Sequence, residues 1–250
     1  MKKLNYSQKR QIILSAIAVI SIIMVTIFCV MIIFMIYGES LFSAKKVQLK
    51  KAENYATLSE STPKEGVVFL GDSIFEMYDL KKYFKHKDDY INRGISSNES
   101  ADVLARLQTN VVDVAPKVVI IHVGVNDIGH NVSAEDYIIN MSKIITELTT
   151  KLPNCKIMVD SIYPTVTLNN FNSMNLTTVR SNDDINNFNL RLKSLCNTKN
   201  ITYINTHDSL LKDDALNKTY SLDGLHLSDA GYRIVSGIFQ YHIDDALAEK

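Results

Sequence analysis

The chain has 250 residues, equal numbers of acidic and basic side chains and 46% hydrophobic residues. That is enough for one globular domain and one smaller element. A zero net charge, with no long basic run and no zinc-ligand spacing, argues against a nucleic-acid partner. The three cysteines, Cys29, Cys155 and Cys196, match no metal or redox motif; Cys155 and Cys196 read as small buried residues, and whether they pair is open at this level.

From Gln11 to Gly38 no residue is charged. At ~1.5 Å per residue the run reaches ~40 Å, against a hydrocarbon core of ~30 Å. A signal peptide has an apolar stretch of only ~7–15 residues, so residues 11–38 are expected to be an uncleaved, single-pass transmembrane anchor. Lys2, Lys3, Lys9 and Arg10 precede the span; Lys45, Lys46, Lys50 and Lys51 follow it, diluted by Glu39 and Glu53. The charge bias is nearly balanced. A short basic N-terminus before a first span favours residues 1–10 as cytoplasmic and the rest as extracellular at the cell membrane. Residues 39–65 read as a polar stalk, helical between Ala44 and Leu58 and stopped by Pro63. The remaining domain is 66–250.

Beyond Gly66 short β-branched runs alternate with amphipathic stretches. Strands are expected at Val67–Leu70, Tyr90–Asn92, Lys117–Val123, Lys156–Ile162 and Ile201–Asn205. Their continuous apolar character suits strands covered on both faces. Helices are expected from Ser133, a capping residue with Asp136 in the first turn, and over 101–112, 183–198 and from about Ser228. The alternation implies an α/β fold with helices on both faces of a central parallel sheet of about five strands. In such sheets chemistry gathers beyond the carboxyl ends of the strands.

Four polar constellations fall there. The first strand runs into Gly71-Asp72-Ser73-Ile74, placing a serine on a sharp turn at a helix start. The second runs into Asn92-Arg93-Gly94-Ile95-Ser96, where a glycine lets the backbone N–H approach a substrate. The third runs into Gly124-Val125-Asn126-Asp127, where an amide can aim at developing negative charge. Asp223-Gly224-Leu225-His226 precedes the last helix and supplies a carboxylate and an imidazole three residues apart. Each alone is an ordinary cap, turn or surface motif. In this order they are specific, because a serine hydroxyl needs a base and the base needs an orienting carboxylate.

With these motifs the chain resembles the SGNH hydrolases, also called GDSL esterases and lipases, from roughly Gly66 to Asp245. Val125 stands where that family commonly has threonine, a change that leaves the chemistry alone. The resemblance implies the three-layer, flavodoxin-like α/β/α SGNH fold, with Ser73 as nucleophile, His226 as general base and Asp223 orienting it. It also implies an oxyanion hole from the Ser73 and Gly94 backbone N–H groups and the Asn126 side chain, and no metal or organic cofactor. Asp72 and Asp127 read as turn-organising, and His122 as a core histidine. His86, His130, His207 and His242 carry no pattern.

The expected activity is hydrolysis of small acyl esters, acetyl above all, on a cell-envelope or extracellular glycan. The polar, Asn-rich segment Tyr163–Asn182 suits sugar hydroxyls and has the length of a lid. A lysophospholipase or short-chain lipid esterase, an O-acyltransferase with the same site, and a silent tethered binding module are the alternatives. Oligomeric state is not legible.

Overall fold

A computed structural model of the protein describes residues 6–59, 61–62, 64–84, 89–166 and 180–248. They fall into two compact units divided between Leu49 and Lys50. The first unit is formed by helix α1, which runs Tyr6–Ser59 and continues into the second unit. Its Tyr6–Met35 portion reaches a mean hydropathy of 3.1, is not buried by protein, and is long and apolar enough to cross a membrane. A core helix of that composition would be covered on all sides.

The second unit holds a five-stranded sheet: β1 (Val67–Gly71), β2 (Tyr90–Gly94), β3 (Val118–His122), β4 (Lys156–Asp160) and β5 (Thr202–Ile204). All neighbours are parallel and the order is β2-β1-β3-β4-β5. The chain winds outward from β1 to β2, then returns to place β3 on the other side of β1. The carboxyl ends of β1 and β3 therefore flank a topological switch point, where such sheets open a crevice. The three-layer α/β/α expectation agrees with this order.

Side chains alternate across the strands, and each face builds its own core. Val68, Leu70, Val119, Ile121 and Val159 meet Val103, Leu107, Tyr137, Met141, Ile144, Ile185 and Leu192. These come from α4 (Ser100–Ala105), α5 (Leu107–Asn110), α7 (Ala134–Lys151) and α8 (Asn182–Lys199), with α6 (Val125–Gly129) preceding α7. On the other face Val67, Phe69, Val118, Ile120 and Met158 meet residues of α2 (Ser73–Glu76), α3 (Leu80–Tyr83) and the C-terminal helix, Asp229–Ala248. Helix starts follow local chemistry. Ser133 Oγ accepts the Asp136 N–H at 3.0 Å, and Ser181 Oγ accepts that of Asp184 at 3.1 Å.

Three details depart from the sequence reading. The helix expected over 101–112 breaks at Arg106, whose φ of −113° and ψ of 9° leave the helical region. Its buried guanidinium donates to Asn98 Oδ1 at 2.8 Å and to the Gly71 carbonyl at 2.9 Å, tying the break to the end of β1. Beyond β5, a short helix α9 (His207–Leu210) leads into a hairpin, β6 (Leu211–Lys212) with β7 (Ala215–Leu216), which had no counterpart in the reading. Asp213 and Asp214 both take positive φ there, as a tight primed turn requires. Finally, residues 50–59, read as stalk, belong to the domain unit. Lys51, Ala52, Tyr55, Ala56 and Ser59 are shielded at helical spacing, so polar side chains rather than a greasy stripe make this face. Cys155 and Cys196 are both free thiols.

Phe69 lies in the middle of the second core, with ring centroids of Phe75, Tyr78, Phe84, Tyr90 and Phe239 between 5.5 and 6.0 Å away. Phe69→Ala is expected to lower unfolding stability by about 3–5 kcal/mol in a denaturant titration, the cost of an aromatic-sized cavity that rigid β1 cannot collapse. A loss below about 1 kcal/mol would show that the two faces are not independently close-packed.

Candidate active site

The end of β1 turns sharply into α2. Asp72 caps that helix, its Oδ1 accepting the Ile74 N–H at 2.9 Å, and Ser73 is the first helical residue. The Ser73 backbone N–H has no protein partner among the described residues, so it points free at the helix start. Burial raises the Asp72 carboxyl above its ordinary range, against the opposing pull of His122, His226 and Arg180 and the Ile74 bond.

The loop before the C-terminal helix is braced from within. Ser221 Oγ accepts the Gly224 N–H at 2.7 Å, and Leu222 donates its N–H to the His226 carbonyl at 2.9 Å. Asp223 Oδ1 accepts the N–H groups of Leu225 and His226 at 3.0 and 2.8 Å. Its Oδ2 lies 2.6 Å from His226 Nδ1, and His226 Nε2 lies 3.0 Å from Ser73 Oγ. Burial raises the Asp223 carboxyl, but the His226 ring, with the His226 and Leu225 amides, outweighs it and holds the group below its usual value. An ionised Asp223 fixes the tautomer with a proton on Nδ1, leaving Nε2 to take the serine proton. The structure thus brings Ser73, His226 and Asp223 into one hydrogen-bonded line.

Asn126 sits in the first turn of α6, after Gly124, whose φ of 138° is open to glycine but strained for other residues. Its Nδ2 donates to the Asn98 carbonyl at 3.1 Å, and its Oδ1 accepts from Arg180 Nη2 at 3.4 Å. Arg180 Nε also donates to the Val125 carbonyl at 3.0 Å. Both ends of the amide are therefore assigned, and among the described residues one Nδ2 hydrogen has no partner. Arg180 was not singled out in the sequence; it lies within the polar segment Tyr163–Asn182 and has no motif around it.

Gly94 plays a different part from the one expected. Its N–H donates to Asn92 Oδ1 at 2.8 Å, so that hydrogen is not available to an oxyanion. A Cβ there would come within 2.1 Å of the Glu76 backbone nitrogen, so the glycine is needed for α2 to lie on β2. The turn that follows carries the open donor. Asn98 N–H closes it on the Ile95 carbonyl at 3.1 Å, Ser97 takes a φ of 60°, and the Ser97 N–H has no protein partner among the described residues. A Ser-Ser-Asn run after Gly94-Ile95 was the available signal, since Asn and Ser mark such turns.

The other polar residues support the frame. Asp127 accepts the Ser100 N–H at 3.0 Å and is pushed up to about 6 by burial, against the Ser100 hydroxyl and amide. His122 is buried, its Nδ1 3.2 Å from Asp160 Oδ2 and its ring 4.1 Å from that of Tyr163. His130 pairs with Glu99 at 2.6 Å and His207 with Asp208 at 3.0 Å, while His242 packs beside the Tyr241 ring. His86 and residues 167–179 of the Asn-rich segment lie outside the described residues. Among the described residues no cluster of His, Cys, Asp and Glu is grouped to hold a metal ion.

Fold and site together define an α/β domain with a serine–imidazole–carboxylate line at its switch point. The profile of the GDSL-like lipase/acylhydrolase family matches residues 69–234, and the chain belongs to that family. It is similar to a Streptococcus pneumoniae structure named for platelet activating factor, with a TM-score of 0.79 and 28% identity over 84% of this chain and 98% of that one. It is 34% identical over 102 residues to the platelet-activating factor acetylhydrolase IB subunit beta homolog of Drosophila melanogaster, covering 39% of this chain and 44% of that protein. It is 28% identical over 170 residues to the GDSL esterase/lipase WDL1 of Oryza sativa subsp. japonica, covering 62% of this chain and 65% of that protein. The match thus spans less than two thirds of either curated relative.

Asp127 gives a stability test. Its carboxyl sits higher in the folded state (about 6) than its ordinary 3.8, so the unfolded chain ionises first and stability falls as pH rises between those values. Asp127→Asn cannot ionise. Relative to the wild type it is expected to gain up to about 3 kcal/mol between pH 4 and pH 7 in parallel denaturant titrations, from ~1.4 kcal/mol per pH unit. Parallel pH curves for the two proteins would show that Asp127 is not a buried charge.

Proposed function

We propose that this domain is a serine esterase that removes small acyl groups, acetyl foremost, from an envelope or extracellular substrate. We further propose that α1 anchors it in the cell membrane with the domain outside. The single observation that carries the catalytic reading is the unbroken path Asp223–His226–Ser73, at 2.6 and 3.0 Å.

In this mechanism His226 Nε2 takes the proton from Ser73 Oγ as the oxygen attacks the ester carbonyl. Asp223 stabilises the imidazolium that results. The carbonyl oxygen becomes negative and is met by the free Ser73 N–H, the spare Nδ2 hydrogen of Asn126 and, in place of Gly94, the Ser97 N–H. His226 then passes its proton to the leaving alcohol. Water repeats the sequence on the acyl-serine, with His226 again as base, and releases the acid. Every proton is carried by a residue already in hydrogen-bond reach.

An acetyl substrate is supported by the name of the Drosophila relative, an acetylhydrolase. The glycan carrier rests on the polar character of Tyr163–Asn182 alone. A lipid carrier is the competing choice, because an anchored enzyme would stand next to it.

Ser73→Ala and His226→Ala are each expected to abolish hydrolysis of p-nitrophenyl acetate while circular-dichroism melting stays at the wild-type value. Asn126→Ala is expected to retain activity reduced by about 10²–10³, the typical loss for one oxyanion donor. Full turnover by a folded Ser73→Ala protein would overturn the reading. For the carrier, acetate release is measured from acetylated polysaccharides and from acetylated lysophospholipids. Release from the polysaccharides is expected, and release from the lipids alone would move the assignment to a lipid esterase.

A further inference from the structure

The domain-side end of α1 reaches the loops that surround Ser73. Tyr55 donates its hydroxyl to the Gly94 carbonyl at 3.1 Å, and the Ala52 carbonyl accepts Asn110 Nδ2 at 3.1 Å. The Arg93 guanidinium lies over the Tyr55 ring at 4.9 Å, a cation–π contact that clamps β2 from the same side. Lys51 pairs with Glu76 Oε1, and the other carboxylate oxygen of Glu76 accepts the Ser96 N–H.

Glu76 is the connecting piece. It is the last residue of α2, the single-turn helix that Ser73 begins. Ser96 lies in the turn that exposes the Ser97 N–H and ends at Asn98, whose carbonyl holds Asn126. One carboxylate thus joins the nucleophile's helix to the donor turn, and Lys51 holds that carboxylate in place. Both partners of the Lys51–Glu76 pair are about two-thirds shielded from solvent, with side-chain exposures of 30% and 27%. A pair this shielded is screened less than the surface pairs that contribute little. Burial raises the Glu76 carboxyl, but Lys51 and both the hydroxyl and amide of Ser96 more than offset it, so the group stays ionised.

We propose that residues 50–59 of α1 belong to the catalytic device, with Lys51 and Tyr55 as positioning residues that set the Ser96–Asn98 turn against Ser73. The proposal rests on the reading of Ser73 as nucleophile and of that turn as an oxyanion donor. Donors work by being fixed before charge develops, and a displacement of about 1 Å far from the chemistry can cost about a hundredfold in rate. Both residues act through others: Lys51 through the Glu76 carboxylate and Tyr55 through the Gly94 carbonyl. Their effect is expected in the rate of the acyl-transfer steps and not in substrate binding.

The test uses the full chain in detergent, with p-nitrophenyl acetate as substrate and a fluorophosphonate probe to count active sites. Lys51→Met is expected to lower kcat per labelled site by about tenfold or more, with KM changed less than about twofold. Lys51→Arg, which keeps the cation, is expected to recover at least half of the wild-type kcat. Tyr55→Phe, which removes only the hydroxyl on Gly94, is expected to lower kcat several-fold. Counting labelled sites removes any fraction that fails to fold. A wild-type kcat per site in Lys51→Met, or a loss that Lys51→Arg does not restore, overturns the proposal. Ser73→Ala, run alongside, separates the failures: if it is inactive while Lys51→Met is unimpaired, only the positioning role falls.

Discussion

The contact between His226 Nε2 and Ser73 Oγ, 3.0 Å long, closes a loop of 153 residues, and most of the domain serves to hold those two atoms together. A serine hydroxyl is a weak nucleophile until a base stands against it. Neither partner can be placed by local sequence. Ser73 is fixed by β1, a strand buried on both faces, and by the Asp72 cap. His226 is fixed by a loop whose amides are taken up by Asp223 and Ser221 and by the start of the C-terminal helix, which packs on the same core as α2. The strand order makes the rest follow. Because β1 lies between β2 and β3, the loops after all three strands start side by side at the carboxyl edge of the sheet, and these are the loops that carry Ser73, Ser97 and Asn126.

That arrangement concentrates buried polarity at one edge of the sheet. Asp72, Arg106, His122, Asn126, Asp127, Asp160 and Arg180 are all nearly inaccessible. Unpaired, such groups would cost several kcal/mol each, and here most are tied to one another or to backbone carbonyls. Arg106 binds Asn98 and Gly71, Arg180 binds Asn126 and Val125, and Ser100 binds Asp127. Stiffness is the gain: each oxyanion candidate is oriented by partners that do not themselves react. The raised Asp72 and Asp127 carboxyls mark where the domain carries the cost.

Much of this was legible from the chain. Val67–Leu70 and Lys117–Val123 read as strands because their apolar runs are unbroken, and Ser133 read as a cap because a hydroxyl before a helix has one strong use. The order of Ser73, Asn126 and Asp223/His226 along the strand ends pointed to the site and its family. What was not legible has a common cause. A backbone hydrogen has no letter in the sequence, so Gly94 looked like the donor although Asn92 already occupies its N–H and Ser97 presents the free one. Arg106 breaks its helix to serve a carbonyl on β1, a long-range demand that overrides a local amphipathic pattern. Residues 50–59 read as stalk because they dock through hydrogen bonds, one ion pair and a cation–π contact, which leave no hydrophobic stripe.

The most direct measurement of the central claim is the site and rate of covalent capture by a fluorophosphonate, read by peptide mass mapping of the wild-type and His226→Ala proteins. A single adduct on Ser73, forming at a rate that collapses when His226 is removed, is the expected result. An adduct on any other residue, or a Ser73 adduct that forms equally fast without His226, would contradict it.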